Sequence, residues 1–232
     1  MKILILAAGR GSRMGSKTDD RPKCLTPVNG RTLLEWTLEA CASITDESQV
    51  MIIGGYKHRM LEKFHSRIIV NSNWAETNIM GSLMVADEYL MAEPCIVVYS
   101  DILFDPLDLK SVSEIPQPAV LSVTNWREVW GNRFLNPASD LETFKTSHDG
   151  TLLTAIGSKE PDLDTIQGQF GGIFSFSPEV WRKLKEEKED LMYSDTTSAL
   201  SYLVTSGIEI VVVKSSGFWA EFDTISDIKT QT

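Results

Sequence analysis

Hydrophobic residues in the first half of the chain form short runs that alternate with segments of helical spacing. The apolar runs at 3–8, 50–53 and 95–99 are continuous, which is typical of parallel strands buried on both faces. Helical spacing of the apolar residues marks the intervening segments 32–42, 56–64 and 81–91. Strands that alternate with helices in this way predict an α/β fold with a doubly wound, mostly parallel sheet.

The second half of the chain has a different pattern. Short alternating stretches at 142–145 and 152–156 flank an Asp-Gly pair, which predicts an antiparallel hairpin with a tight turn. No linker or low-complexity segment interrupts the 232 residues. We therefore expect one domain over 1–232, with a small antiparallel insertion at roughly 125–195 that covers the functional site.

Composition and charge narrow the classes of partner. The formal net charge of −10 gives no basic footprint for a long nucleic acid. The three cysteines have neither zinc-site nor disulfide spacing. No apolar stretch approaches the length that spans a bilayer. We therefore expect a cytoplasmic protein with no nucleic-acid or membrane partner, for which a homodimer is one possible assembly.

A glycine-rich loop after the first strand is the strongest chemical signal. The sequence there reads Leu6-Ala7-Ala8-Gly9-Arg10-Gly11-Ser12-Arg13-Met14-Gly15, and Arg21-Pro22-Lys23 follows. Glycines let the backbone approach a phosphate closely, and free backbone N–H groups form an anion-binding nest. Arg13 and Lys23 would add positive charge to this nest. The loop therefore predicts a site for nucleotide phosphates.

Two other phosphate-binding loops match this segment less well. A dinucleotide-binding loop has the spacing G-x-G-x-x-G and an acidic residue at the end of the second strand. Here the spacing is G-x-G-x-x-x-G, and the second strand ends in Gly54-Gly55. A Walker loop needs Gly-Lys-Thr, whereas Gly15-Ser16-Lys17-Thr18 is one residue out of place.

The loop resembles that of the nucleotidyltransferase superfamily, and later motifs are similar to the bacterial choline-phosphate cytidylyltransferase group. These motifs lie at 77–83, 99–101, 133–134, 168–172 and 219–223, so the likeness covers nearly the whole chain. The resemblance implies a Rossmann-like nucleotidyltransferase fold and a Mg²⁺-dependent enzyme of surface polysaccharide biosynthesis. Its reaction would transfer CMP from CTP to a small phosphorylated or phosphonate acceptor that bears an amine, such as phosphocholine, and release pyrophosphate.

The resemblance also implies roles for residues. Asp101 and Asp223 would hold Mg²⁺, with Glu221 and Asp105 as alternative ligands, and carboxylates do suit this ion. Lys23 would neutralise charge on the α-phosphate, and Arg13 would hold the departing pyrophosphate. Nucleotide binding is expected at Leu6, Ala7, Ala8, Gly9, Gly11, Thr77, Asn78, Gly81 and Ser82.

The acceptor is expected to bind in the later half of the chain. Candidate residues are Trp126, Trp130, Arg133, Tyr193, Asp195 and Trp219, because aromatic faces attract an ammonium group and an arginine suits a phosphate. The tryptophans could equally be core or interface residues. Two further alternatives are a sugar-1-phosphate nucleotidyltransferase and a non-catalytic nucleotide-binding relative. The latter would be expected to lack Lys23 or one of the two aspartates.

Overall fold

A seven-stranded sheet forms the centre of the protein. The computed structural model describes residues 1–115, 118–159 and 162–230. The strands are β1 (Lys2–Ala7), β2 (Pro27–Val28), β3 (Arg31–Thr32), β4 (Val50–Gly54), β5 (Ile68–Val70), β6 (Cys95–Tyr99), β7 (Ile102–Phe104), β8 (Ala119–Val123), β9 (Glu142–Thr146), β10 (Leu153–Lys159), β11 (Gln169–Phe176), β12 (Val211–Lys214) and β13 (Trp219–Glu221). The helices are α1 (Leu33–Ala42), α2 (Ile79–Met84), α3 (Asp87–Ala92), α4 (Pro106–Glu114), α5 (Trp126–Arg133), α6 (Pro178–Glu187), α7 (Thr196–Thr205) and α8 (Ile225–Thr230).

The strand order in the central sheet is β12-β8-β11-β6-β1-β4-β5. Strand β11 runs antiparallel to both of its neighbours, and the other pairings are parallel. The predicted mostly parallel α/β sheet is therefore confirmed. Among the described residues, no helix has the length and apolar content needed to cross a membrane.

Strand β1 lies inside the sheet, between β6 and β4. Successive side chains of a strand point to opposite faces, so its apolar residues divide between two cores. Ile3 and Ile5 pack into the core that α1, α4 and α5 cover, whereas Leu4 packs into the core under α2, α3, α6 and α7. This two-sided burial explains why the first strand is a continuous apolar run.

Helix α1 begins directly after its N-cap residue, Thr32. The Thr32 hydroxyl accepts a bond from the Glu35 N–H, and the Glu35 carboxylate accepts one from the Thr32 N–H. This capping box satisfies two backbone donors that a helix start leaves without partners. The helix predicted at 32–42 is confirmed.

Four helical segments differ from the sequence prediction. The segment predicted as a helix at 56–64 forms 3₁₀ turns at His58–Lys63, after Lys57 enters the left-handed region at φ 48°. The helix predicted at 81–91 divides into α2 and α3, because Ala86 bonds back to the Leu83 carbonyl and tightens the turn. Helices α4 and α5 were not predicted, although Trp126 and Trp130 have helical spacing.

Three small antiparallel sheets accompany the central one. The predicted hairpin is present as β9 and β10, and it packs beside α7 and β11. The short strands β2 and β3 form a second pair, between Lys23 and the start of α1. The third pair joins β7 to β13, with Ile102 opposite Glu221. This third pair matters most for function, because it brings two distant acidic segments together.

Candidate active site

A cavity of about 270 Å³ opens at the carboxyl ends of β1 and β6. Ten of the predicted nucleotide, catalytic and metal residues line it, namely Leu6, Ala7, Ala8, Gly9, Gly11, Arg13, Lys23, Ser82, Asp101 and Asp223. Five further residues that had no primary role in the prediction also line it, namely Cys24, Ile79, Tyr99, Ser100 and Glu221. No residue of the β9–β10 hairpin is among them. Parallel α/β sheets bind ligands at this edge, where strands end and loops begin.

Gly11 shapes the glycine-rich loop and the position of Lys23. Its φ is +73°, and a Cβ built on it would lie 2.7 Å from the Cβ of Lys23. The Thr18 hydroxyl donates to the Gly11 carbonyl at 3.0 Å and closes the loop. The stem of Lys23 therefore packs directly over backbone that only glycine can supply.

Lys23 connects the loop to two carboxylates. Its ammonium donates to Asp101 Oδ2 at 2.6 Å and also to Asp223 Oδ1. Burial on its own would lower the pKa of Lys23, but the charges of Asp101 and Asp223 outweigh it and hold the pKa above its usual value. Arg13 reaches the same cluster, with 3.1 Å between its guanidinium and Asp223 Oδ2. Both predicted catalytic cations therefore lie beside the predicted metal ligands.

Strand pairing explains how these carboxylates meet. Asp101 comes directly before β7, and Asp223 follows two residues after the end of β13. The antiparallel register places Glu221 opposite Ile102, and the Phe222 N–H donates to the Asp101 carbonyl at 2.9 Å. Asp105, the other alternative ligand, lies outside the cluster and caps α4 by accepting from the Leu107 N–H.

The segment expected to bind the base lies at the start of α2. Ser82 lines the cavity, whereas Thr77, Asn78 and Gly81 are not among its lining residues. Asn78 caps the helix by accepting from the Ile79 N–H. A Cβ on Gly81 would lie 2.5 Å from the Met192 carbonyl oxygen, so this glycine lets the turn Leu191–Tyr193 approach the helix.

The six predicted acceptor residues form one group of three, one group of two and a single residue, and none of them lines the cavity at the ends of β1 and β6. Trp126, Trp130 and Trp219 are 3–4% exposed, and Trp130 stacks on Trp219 with 5.4 Å between ring centroids. The Arg127 guanidinium already covers the ring of Trp126 at 4.3 Å.

In the second group, Tyr193 is exposed and Asp195 caps α7 by accepting from the Ser198 N–H. The remaining predicted residue, Arg133, lines a neighbouring cavity of about 430 Å³ together with Trp219. That cavity shares Glu221 with the nucleotide cavity. Two of the six predicted acceptor residues therefore lie next to the acidic cluster.

The chain matches a known protein family over most of its length. The model of the MobA-like NTP transferase domain matches residues 3–155, which include the glycine loop, Lys23, Ser82 and Asp101. The chain belongs to this family. The nucleotidyltransferase resemblance seen in the sequence is thereby confirmed.

Similar proteins extend the match over the full chain. The CTP:phosphoglutamine cytidylyltransferase of Campylobacter jejuni is 27% identical over 253 positions, covering 100% of this chain and 99% of that protein. The structure of the inositol-1-phosphate CTP transferase from T. maritima has a TM-score of 0.79 at 19% identity, covering 99% of this chain and 94% of that one. The CTP:phosphocholine cytidylyltransferase from Streptococcus pneumoniae has a TM-score of 0.72 at 18% identity, covering 98% and 96%. At these identities the two structures show the fold alone.

The acidic cluster of this NTP transferase has the chemistry of a divalent metal site. Single oxygen atoms of Asp101, Glu221 and Asp223 lie within 4.8 Å of one another. Asp101 Oδ1 is buried and has no hydrogen-bond partner among the residues that the structure describes. Magnesium prefers a few carboxylate oxygens completed by water and phosphate oxygens. The donor set therefore fits Mg²⁺, and Glu221 joins the two predicted aspartates.

The cluster is held under strong electrostatic constraint. Burial raises the pKa of Glu221 to about 8, and the charge of Asp223 acts in the same direction. The positive charge of Arg133 opposes this rise in the pKa of Glu221. Its guanidinium lies 2.8 Å from Glu221 and 3.1 Å from Asp227. Its side chain is only 6% exposed, so it ties α5 to β13 and α8 through buried charge.

We predict that Gly11→Ala disables the site through Lys23. The new methyl group would displace the lysine stem, and a displacement of about 1 Å in a catalytic group costs about 100-fold in rate. Gly30→Ala is the matched control, because Gly30 has φ +80° but nothing within 4 Å of its Cβ position. Both variants should lose about 1–2 kcal/mol of stability from the left-handed backbone. Steady-state rates and chemical unfolding would check this, and equal rates in the two variants would contradict it.

Proposed function

We propose that the protein is a Mg²⁺-dependent cytidylyltransferase that transfers CMP from CTP to a small phosphorylated or phosphonate acceptor bearing an amine. The observation that carries this proposal is Lys23, which joins a phosphate-binding glycine loop to a three-carboxylate cluster. The choice of CTP and of a phosphorylated acceptor rests on the relative that matches over its full length, which is a CTP:phosphoglutamine cytidylyltransferase.

The proposed reaction is an in-line displacement at the α-phosphorus of CTP. An acceptor phosphate oxygen forms the new bond to that phosphorus, the bond to the bridging oxygen of the β-phosphate breaks, and pyrophosphate leaves with the electron pair. A phosphate monoester has a second pKa of about 6, so the nucleophile is already mostly a dianion at neutral pH. The protein therefore needs no general base and has to bring two anions together.

The residues of the cavity are suited to that task. Backbone N–H groups of the glycine loop would hold the phosphates, and Lys23 would neutralise charge that grows on the α-phosphate. Arg13 has a side chain that is 66% exposed, and it would exchange its ion pair with Asp223 for one with the leaving pyrophosphate. Asp101, Asp223 and Glu221 would hold Mg²⁺, which when bound supplies positive charge to the phosphate oxygens.

The acceptor fits the second cavity. This cavity is lined by Arg133 and Trp219 and carries three acidic side chains, Glu128, Glu221 and Asp227. An acceptor amine would pair with these carboxylates while its phosphate points to the shared wall with the nucleotide cavity. Trp126, Trp130, Tyr193 and Asp195 do not line this cavity, and their roles in acceptor binding stay proposals.

One observation favours a second candidate function. The three tryptophans that were expected to bind the acceptor are almost fully buried. The indole N–H of Trp130 donates to the Asp140 carboxylate, and that of Trp219 donates to the Gly171 carbonyl. A closed aromatic core has no need of a cationic acceptor. A sugar-1-phosphate nucleotidyltransferase is therefore the alternative.

A matrix of nucleotides against acceptors separates the two candidates. We expect pyrophosphate release with CTP and phosphorylated amines or aminophosphonates, and much slower release with ATP, GTP or UTP. The acceptors include phosphorylated amines such as phosphocholine and neutral sugar phosphates, so that the effect of the amine on turnover is measured. Faster turnover of the neutral sugar phosphate would instead support a sugar-1-phosphate nucleotidyltransferase.

Lys23→Ala should lower kcat by about 100- to 1,000-fold and leave KM for CTP almost unchanged, because its charge matters most as negative charge develops in the transition state. Lys17→Ala is the control, since Lys17 is exposed in the same loop and does not line the cavity. Steady-state kinetics distinguish the outcomes. A raised KM at unchanged kcat would assign Lys23 to ground-state binding.

Asp101→Asn should weaken Mn²⁺ binding by about tenfold or more, because the substitution removes a charged oxygen ligand from the cluster. Asp105→Asn is the control, since Asp105 caps α4 and an asparagine also caps well. Electron paramagnetic resonance of Mn²⁺ titrated into the protein measures binding without any turnover. Equal affinities in the two variants would show that the metal binds elsewhere.

A further inference from the structure

A buried asparagine lies behind the base-binding segment. Asn71 follows β5 and is 3% exposed, and its N–H donates to the Gly54 carbonyl at 2.8 Å. Because a buried amide is costly unless its polar atoms are bonded, the bonds of Asn71 indicate what it is positioned to do.

The orientation of the Asn71 amide follows from one neighbour. Its Oδ1 accepts from the Asn73 backbone N–H at 2.9 Å. A backbone N–H can only donate, so the oxygen has to lie on that side and the amide cannot be flipped. The Nδ2 group then faces Thr77 Oγ1 at 3.0 Å and Ser82 Oγ at 3.1 Å. Both of its protons are used.

This orientation sets the direction of the Ser82 hydroxyl. Since Nδ2 is a donor, both hydroxyl oxygens act as acceptors toward it. The Thr77 hydroxyl itself donates a hydrogen bond to the Asn73 carbonyl at 3.0 Å. The Ser82 hydroxyl has no acceptor among the described residues, and its side chain lines the nucleotide cavity. The bond from Asn71 therefore directs the Ser82 proton away from the amide, where it is available to that cavity as a hydrogen-bond donor.

A fixed donor can distinguish the two pyrimidine bases. Ring atom N3 is an acceptor in cytosine and carries a proton in uracil, whereas O2 is an acceptor in both. Resting on the proposed use of CTP, we propose that Asn71 is a positioning residue for base specificity. It occupies one lone pair of the Ser82 hydroxyl, whose proton is then donated to N3 of cytosine. A uracil N3–H could use only the second lone pair, which would take the hydroxyl proton away from this acceptor position.

Asn71→Asp reverses this arrangement at nearly constant shape. A carboxylate accepts from Ser82, so the hydroxyl would turn a lone pair toward the cavity. We expect the ratio of Kd for UTP to Kd for CTP to fall by at least about tenfold, the effect of one mismatched buried hydrogen bond. Titration calorimetry with each nucleotide and no acceptor measures it. Ser72→Asp adds the same charge to an exposed neighbour and should leave the ratio unchanged.

Ser82→Ala provides a second test that does not depend on the stability of a buried carboxylate. We expect the ratio to fall in this variant, and Asn71→Asp in the Ser82→Ala background to change it no further. An unchanged ratio in Ser82→Ala, or equal weakening of both nucleotides by Asn71→Asp, would overturn the inference and leave Asn71 a structural residue. Wild-type protein that binds UTP as well as CTP would instead contradict the cytidylyltransferase proposal, so the two failures are distinguishable.

Discussion

The ion pairs of Lys23 with Asp101 and Asp223 are the interaction on which the site depends. Three acidic side chains in a partly buried cluster repel one another when they are ionised, and cations beside them offset this repulsion. Lys23 supplies one such cation, and its stem is directed by the close contact with Gly11. The phosphate-binding loop and the acidic cluster therefore form one unit, and a change in either would alter the other.

The β7–β13 pair is the structural device that assembles this unit. It stands apart from the central sheet and joins one segment that follows β6 to another near the end of the chain. Arg133 supports it from α5 through buried pairs with Glu221 and Asp227. This arginine was expected to bind acceptor phosphate, and its ion pairs with two carboxylates show that it also connects α5 to β13 and α8. Positive charge for the acceptor would then have to come largely from Lys23 and Arg13.

The nucleotide side and the acceptor side differ in how far they are organised. On the nucleotide side, the Asn71 side chain accepts from the Asn73 backbone and donates to the Ser82 hydroxyl, and the Thr18 hydroxyl donates to the backbone of the glycine loop. On the acceptor side, the aromatic residues are packed into the core, and the second cavity is lined mainly by polar side chains.

The sequence by itself determined the parallel strands, the capped helix α1, the glycine loop and the residues of the cavity that adjoin these elements. These features follow from local rules: two-sided burial makes a continuous apolar run, and a loop after such a strand must meet the ligand edge. Only the tertiary structure decided that Glu221 joins the aspartates, that Gly81 serves close packing and that Asn71 orients Ser82. Each of these depends on which atoms of distant segments come within hydrogen-bond or van der Waals distance, and periodicity in a sequence carries no information about such contacts.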